Sequence, residues 1–284
     1  MGGSGSLSTT AGITTTFPAL STTGGTGAIT FSLTGNAAGT VSESRTGFSI
    51  NSSGVLTVAS TLASDTYTIY VKVTDSLDIS TVRTITLRVN AAMTFQAFDT
   101  FTSTYGRSHL TNGFTINGGT GTKTFTITSL GSGVTINSST GALTIPSSLA
   151  VATYLETVTV TDSSGATSET AVVIVINETP TISGPDTLVT TRGKAATTTT
   201  NFTGTLGTTP YTFAITGGAS GITINPSSGQ VRVAETTTAG SYTETITLTD
   251  ARGATALDTI TITVNARPQI TGGSNITTTF SRAD

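Results

Sequence analysis

The chain has 284 residues with a net charge of −3 and a pI near 5.1, so it carries no basic footprint of the kind that binds nucleic acid. It contains no cysteine and no run of about 18 apolar residues, so we expect neither a disulfide framework nor a membrane span. A single histidine, His109, cannot build a histidine-based metal cluster or a catalytic triad within one chain. We therefore expect no enzyme activity, no catalytic residue, no metal and no cofactor.

The chain begins with Met-Gly-Gly-Ser-Gly-Ser, and residues 1–12 are rich in Gly and Ser, which predicts a flexible leader. Beyond it the sequence is rich in Thr, whose branched Cβ favours strands. Apolar residues alternate with Thr at a period of two, as at Ile246 and Leu248, and no sustained helical period appears. The chain is therefore predicted to be all-β.

Three segments of about 88 residues share one pattern. Each segment ends in an alternating strand that closes on an asparagine, and these asparagines are Asn90, Asn177 and Asn265. The preceding strand ends each time in Thr-Asp, and the carboxylates are those of Asp75, Asp162 and Asp250. No second acidic residue recurs beside them, so we expect each Asp to cap the following turn rather than to bind calcium.

The middle of each repeat predicts a tight hairpin and a tyrosine corner. Asn and Gly in the hairpin turns supply a side-chain cap and a positive φ, at Asn51 and Gly54, Asn137 and Gly141, and Asn225 and Gly229. A Tyr opens the penultimate strand, where its hydroxyl is expected to bond a nearby backbone group, at Tyr67, Tyr154 and Tyr242. In the third repeat the predicted inward-facing residues are Phe213, Ile215, Ile222, Ile224, Val231, Val233, Tyr242, Ile246, Leu248, Ile260, Ile262 and Val264.

About seven short strands per repeat predict an immunoglobulin-like β-sandwich, repeated at 13–90, 91–177 and 178–265. The run from Gly221 to Asn225, together with Gly229 and the strand from Tyr242 to Asp250, resembles the cadherin-like, putative-Ig repeats of bacterial surface proteins and secreted enzymes. The resemblance implies three tandem sandwich domains outside the cell. The residues after the terminal asparagines differ from true cadherins, because they are poor in the carboxylates that bind calcium there.

Residues 267–284, RPQITGGSNITTTFSRAD, overlay without gaps on 179–196 and on 92–109, which open the third and second repeats. The first repeat shows no such strand pattern before Ile13, so we predict that it lacks its own first strand and that 266–284 is an orphan first strand. The predicted donor residues are Ile270, Ile276, Thr277, Thr278, Thr279 and Phe280. The predicted accepting residues are Ile13, Phe17, Phe31, Ile85, Leu87 and Val89.

Two classes of function follow from this pattern. The first is a structural subunit of an extracellular fibre, in which each copy donates its C-terminal strand to the first domain of the next copy. The second is a fragment of a longer multi-Ig surface adhesin or carbohydrate-binding stalk. The expected partners are accordingly further copies of the chain, or a cell-surface or glycan ligand, and not nucleic acid.

Overall fold

The computed structural model describes residues 6–40, 46–98, 100–128, 131–217 and 219–273. Within these ranges every regular element is a β-strand, and no membrane-spanning helix is found in them. The chain divides into two compact units, Met1–Phe101 with Ser108–Val175 and Thr102–Arg107 with Ile176–Asp284. The segment Thr102–Arg107 of the second repeat therefore belongs to the same unit as the third repeat.

The first repeat forms two sheets that enclose one core. Its strands are β1 (Ser6–Thr10), β2 (Thr15–Thr16), β3 (Thr30–Thr34), β4 (Phe48–Ile50), β5 (Leu56–Val58), β6 (Asp65–Thr74) and β7 (Ser80–Asn90). The sheet orders are β1-β7-β6-β3 and β2-β5-β4. Both sheets contribute to the core, whose buried residues are Leu56, Val58, Ile69, Val71, Ile85, Leu87 and Val89.

The second repeat follows the same plan with a third, two-stranded sheet. Its strands are β8 (Thr94–Phe95), β9 (Phe101–Thr104), β10 (His109–Leu110), β11 (Ile116–Asn117), β12 (Lys123–Thr128), β13 (Thr135–Ile136), β14 (Leu143–Ile145), β15 (Ala152–Asp162) and β16 (Thr167–Asn177). The sheet orders are β12-β15-β16-β9, β10-β14-β13 and β11-β8. Buried apolar side chains lie at alternate positions of the long strands, including Val158, Val160, Val172 and Ile174.

The third repeat has nine strands in the described residues: β17 (Thr181–Ser183), β18 (Thr187–Thr191), β19 (Thr197–Asn201), β20 (Thr203–Thr205), β21 (Thr212–Thr216), β22 (Ile222–Ile224), β23 (Gln230–Val233), β24 (Gly240–Thr249) and β25 (Thr255–Asn265). The sheet orders are β18-β25-β24-β21, β19-β23-β22 and β17-β20. All twelve residues predicted to face inward belong to its core, nine of them buried and Ile215, Ile224 and Tyr242 packed against them. The prediction of tandem all-β sandwiches is therefore confirmed.

The prediction that the first repeat lacks its own first strand is wrong. Strand β1, which lies inside the predicted flexible leader, pairs in parallel with β7 from Ser6 opposite Thr86 to Thr10 opposite Asn90. The third repeat has the same pairing between β18 and β25, which ends with Thr191 opposite Asn265. Leu7 packs against the core of the first repeat, as Leu188 does in the third. Leu7 thus supplies the apolar contact of this strand, which the Gly- and Ser-rich composition of residues 1–12 does not indicate.

The predicted local motifs form as expected. The three tyrosine hydroxyls donate to backbone carbonyls four residues earlier: Tyr67 to Ala63, Tyr154 to Ala150 and Tyr242 to Thr238, over 2.8–3.0 Å. In the hairpins, the side-chain oxygens of Asn51, Asn137 and Asn225 each accept two backbone N–H groups of their own turn. These contacts all lie within single repeats. They do not involve the aspartates and terminal asparagines that recur at the ends of the repeats.

Candidate functional site: polar junctions between repeats

Asp75, Asp162 and Asp250 cap the turns that follow them, as the sequence predicts. In each, Oδ1 accepts the backbone N–H groups two and four residues later, over 2.8–3.0 Å. The residue three positions later has a positive φ, which is 86° at Gly165 and 60° at Asp78. The turn engages only Oδ1, so Oδ2 points to groups outside it.

In the first compact unit, Oδ2 of Asp162 accepts two hydrogen bonds at the junction of the first and second repeats. The Thr120 N–H donates over 2.7 Å, and the Thr10 hydroxyl, at the end of β1, donates over 2.5 Å. The hydroxyl oxygens of Thr10 and Thr120 are 2.8 Å apart, and Nδ2 of Asn90 donates to Thr120 Oγ1 over 2.8 Å. Because Thr10 gives its proton to Asp162, the bonds run from Asn90 to Thr120 to Thr10 to Asp162.

The second compact unit contains the same arrangement at the next junction. The hydroxyl of Thr104, at the end of β9, donates to Asp250 Oδ2 over 2.5 Å, and the Thr208 N–H donates to the same oxygen over 2.9 Å. The Thr104 and Thr208 hydroxyl oxygens are 2.8 Å apart, and Asn177 Nδ2 donates to Thr208 Oγ1 over 3.1 Å. Two threonines, one asparagine and one aspartate thus recur at one geometry in sites that share no residue.

Both junctions are shielded from solvent. The relative exposure of Thr10 and Thr104 is 1%, and that of Asp162 and Asp250 is 5%. Buried polar groups stabilise a structure only when their hydrogen bonds are satisfied, and here each hydroxyl and each carboxylate oxygen has a partner. We infer that these networks fix one repeat against the next rather than serving as passive surface contacts.

The backbone closes each junction as well. The Gly119 N–H donates to Ala91 O over 2.8 Å, and the Gly207 N–H donates to Glu178 O over 3.0 Å, so each linker is bonded to the loop of the following repeat. Gly207 has φ +63°, and a Cβ there would lie 2.9 Å from Asp250 Oδ2 and 3.0 Å from Pro180 Cβ. The close approach therefore requires a residue without a side chain.

The electrostatics favour ionised carboxylates at both junctions. Burial raises the pKa of Asp162, but hydrogen bonds from Thr10, Thr120 and Ser164 outweigh it, so the pKa lies below the ordinary value of an aspartate. The balance at Asp250 is the same, with hydrogen bonds from Thr104 and Thr208 holding its pKa below the ordinary value against burial. Among the described residues no group of three or more His, Cys, Asp or Glu side chains gathers into a metal site.

Two further faces each carry half of this residue set, and no neighbouring repeat contacts them within the described part of the chain. We call the first the head face; it comprises Thr26, Asp75, Leu77 and Ile79. The Thr26 N–H donates to Asp75 Oδ2 over 3.0 Å, and this bond mainly lowers the Asp75 pKa. Leu77 and Ile79 are 64% and 70% exposed, although Ala166, the counterpart of Ile79, is 4% exposed.

We call the second the tail face; it comprises Thr191 and Asn265, the last residue pair of the β18–β25 register. The Arg192 N–H donates to Asn265 O over 3.0 Å, which repeats the bonds from Ala11 to Asn90 and from Tyr105 to Asn177. Thr191 is half-buried and Asn265 is exposed. Within the described part of the chain, neither Thr191 Oγ1 nor the Asn265 side chain forms a hydrogen bond.

The residues predicted to donate a strand and those predicted to accept it lie in different environments. Ile270 is 99% exposed, whereas Ile276, Thr277, Thr278, Thr279 and Phe280 lie outside the described residues. Ile85, Leu87 and Val89 are buried in the core of the first repeat, with Phe17 and Phe31 packed against them, and Ile13 is half-buried. The β7 residues Thr86 to Asn90, which a donated strand would pair with, are already paired with β1.

The junction residues themselves were missed at the sequence level, although a signal exists. Gly-Thr recurs at Gly25-Thr26, Gly119-Thr120 and Gly207-Thr208. Asn90 and Asn265 each pair with a Thr at the end of the first strand. The sequence shows that Asn and Asp recur, but it predicts a role, the capping of a turn, only for the Asp. An alignment of the three repeats anchored on the terminal asparagines shows that these residues recur together, although it does not show which of them bond to each other.

No family model matches the chain, and no curated protein matches it. Among solved structures it is similar to mouse cadherin-23 EC22-24, with 16% identity, a TM-score of 0.31 and coverage of 93% of this chain and 96% of that one. It is also similar to the titin I-band fragment I67-I69, with 12% identity, a TM-score of 0.36 and coverage of 93% and 96%. Extracellular domains 3-5 of Drosophila OTK give 14% identity, a TM-score of 0.35 and coverage of 93% and 95%. These scores are too low to bear on the function.

Proposed function

We propose that the protein is a structural subunit of an extracellular fibre or stalk, and that its copies join head to tail. The observation that carries this proposal is the closed polar junction, which occurs twice with the same residue types and the same geometry. A junction built only from protein groups holds consecutive repeats together without a ligand. That property suits a spacer whose task is mechanical.

Assembly by donation of 267–284, as the sequence predicts, meets an obstacle in the first repeat. The donated Ile276 and Thr277–Thr279 align with Leu188 and Val189–Thr191 of the third repeat, and their positions in the first repeat are occupied by Leu7 and β1. Donation in this form requires β1 to leave the sheet. The segment around Ile270 aligns with β17, whose counterpart in the first repeat falls outside the described residues.

Size measurement of the whole protein and of a variant lacking 267–284 tests the fibre proposal. Sedimentation velocity and negative-stain electron microscopy of the wild-type protein are expected to show head-to-tail oligomers whose length grows with concentration. Loss of these oligomers in the truncated variant would support strand donation. A wild-type protein that remains monomeric at every concentration would contradict the fibre proposal and leave the second candidate.

The second candidate is a surface adhesin or carbohydrate-binding stalk, and one feature favours it. In the first compact unit a groove of about 240 Å³ is lined by Phe98, Phe101 and Phe114, and also by Gln96 and Asn112. The Phe98 and Phe101 rings are stacked at 6.0 Å. Aromatic faces flanked by side-chain amides can contact sugars, so this function predicts glycan binding that Phe98→Ala abolishes.

A further inference from the structure

The two end faces carry the residue pairs that form the two halves of a closed junction. Each closed junction needs a donor half, formed by a Thr and an Asn at the end of one repeat, and an acceptor half, formed by a Thr and an Asp of the next repeat. The tail face holds the donor half in Thr191 and Asn265. The head face holds the acceptor half in Thr26 and Asp75.

Both halves have the backbone geometry that the closed junctions have. On the head face the Thr26 N–H is already bonded to Asp75 Oδ2, as Thr120 is to Asp162, and Ser76 N–H donates to Thr26 O as Ser163 does to Thr120. On the tail face Thr191 is paired with Asn265 in the register that Thr10 has with Asn90. Association therefore requires little rearrangement of either face.

The head face exposes residues whose counterparts in the closed junctions are buried. The threonines of the closed junctions, Thr120 and Thr208, are 6% and 7% exposed, whereas Thr26 is exposed. Two large apolar side chains near Asp75, Leu77 and Ile79, are exposed. Asp75 and Ile79 also line a groove of about 330 Å³. Adjacent exposed apolar side chains of this kind mark an interaction site.

We propose that the tail face of one copy binds the head face of a second copy, with Thr191 Oγ1 donating to Asp75 Oδ2 and Asn265 Nδ2 donating to Thr26 Oγ1. The Gly25 N–H, which aligns with those of Gly119 and Gly207, then donates to the carbonyl of Ala266. This inference rests on the proposed fibre function and replaces strand donation as its mechanism. The contact is heterologous, so each copy keeps one free face for a further copy, and the series forms a filament where the rotation between copies does not close it into a ring.

Association between copies is expected to be weaker than closure of the internal junctions. The internal halves are joined by a short linker, which gives them an effective concentration in the millimolar range, whereas separate copies have only their bulk concentration. The measurement therefore has to extend to about millimolar protein. Sedimentation velocity over a concentration series reports both the affinity and the length of the assemblies.

Complementary variants provide the test. The tail variant is Thr191→Val with Asn265→Ala, and the head variant is Thr26→Val with Ile79→Glu; each alters exposed or half-buried side chains and leaves the Asp75 turn intact. Each variant alone is expected to raise the dissociation constant at least about tenfold. Mixed in equal amounts, the two still share one intact pair of faces, so they are expected to form heterodimers and nothing longer. Thr223→Val with Asn201→Ala, both exposed on the third repeat, is the matched control and should assemble as the wild type does.

Three outcomes would overturn the inference, and they separate it from the fibre proposal. If the wild-type protein does not associate up to about millimolar concentration, both proposals fail. If the head and tail variants assemble as the wild type does while removal of 267–284 abolishes assembly, the face contact is wrong and fibre formation by strand donation stands. If the mixed variants form long oligomers, assembly uses another surface.

Discussion

The closed junctions and the head face have the same aspartate turn, but they differ in whether a neighbouring repeat covers it. Asp75 on the head face accepts the same three backbone N–H groups as Asp162 in the first junction, two within its own turn and one from the neighbouring Thr. The neighbouring repeat adds one hydroxyl, one side-chain amide, one backbone carbonyl and the exclusion of water. Each repeat therefore forms this turn by itself, through Oδ1 of the aspartate. The junction uses the other carboxylate oxygen, Oδ2, to which the turn does not bond.

This comparison predicts that one substitution has unequal effects at the two places. Asp162→Ala removes the turn cap and also leaves the buried Thr10 hydroxyl and Thr120 N–H without an acceptor, for an expected loss of about 3 kcal/mol. Asp75→Ala removes the same cap from a solvent-accessible site, so its loss is expected to be smaller. Hydrogen–deuterium exchange of the peptides that contain β6 and β15 measures the two free energies of opening separately.

A matched threonine pair checks that the difference comes from the junction. Thr10 and Thr191 end equivalent strands in the same register, but only the Thr10 hydroxyl bonds to a carboxylate. Thr10→Val is expected to destabilise the first compact unit by about 1–2 kcal/mol, and Thr191→Val to change the stability of the second compact unit by less than about 0.5 kcal/mol. If the two variants lost the same free energy of unfolding, the loss would come from the position of the threonine in the β-sheet and not from the hydrogen bond of the junction.

Acid is expected to lower the stability of the protein through the junction carboxylates. The pKa values of Asp162 and Asp250 are lowered in the folded protein, so their contribution to stability is fully present above the unfolded value of about 3.9 and is lost as the pH falls through the lower folded pKa. The melting temperature is expected to fall below about pH 4, and to fall less in the Asp162→Ala, Asp250→Ala double variant. The effect is smaller than that of substitution because a protonated carboxyl still forms hydrogen bonds. An identical acid response in the double variant would show that other carboxylates dominate.

Local patterns were sufficient to predict the sandwich itself. The twelve positions predicted to face inward in the third repeat all belong to its core, which also contains the buried Phe202. The tyrosine and asparagine motifs depend on contacts within a few residues. Strand β1 escaped because its only apolar side chain is Leu7, in a stretch whose Gly and Ser content is typical of a flexible leader.

The junctions could not be predicted in the same way, because their bonds join distant parts of the chain. Thr10 and Asp162 are 152 residues apart, and Thr104 and Asp250 are 146 apart. No propensity or spacing rule acts over such a distance. The contacts follow from how one repeat is placed on the next, so the sequence shows the recurring residues but not their pairing.

The smallest expected effect is the response to calcium. Calcium in proteins takes six to eight oxygen ligands, whereas both oxygens of Asp162 already accept N–H and O–H groups, whose hydrogens would face a bound cation. On the head face, N–H groups from Thr26, Leu77 and Ile79 occupy the carboxylate of Asp75 in the same way. Millimolar calcium or a chelator is therefore expected to shift the melting temperature by less than about 1 °C.

Magnesium at the same concentration controls for ionic strength, and the double variant Asp162→Ala, Asp250→Ala controls for binding at the closed junctions. A rise of several degrees that calcium alone produces, and that a chelator reverses, would contradict the prediction. If the double variant lost that rise, calcium would have to displace the threonine and backbone donors from the two carboxylates. If it kept the rise, the site would lie away from both closed junctions, and Asp75→Ala would then test whether the head face binds the ion.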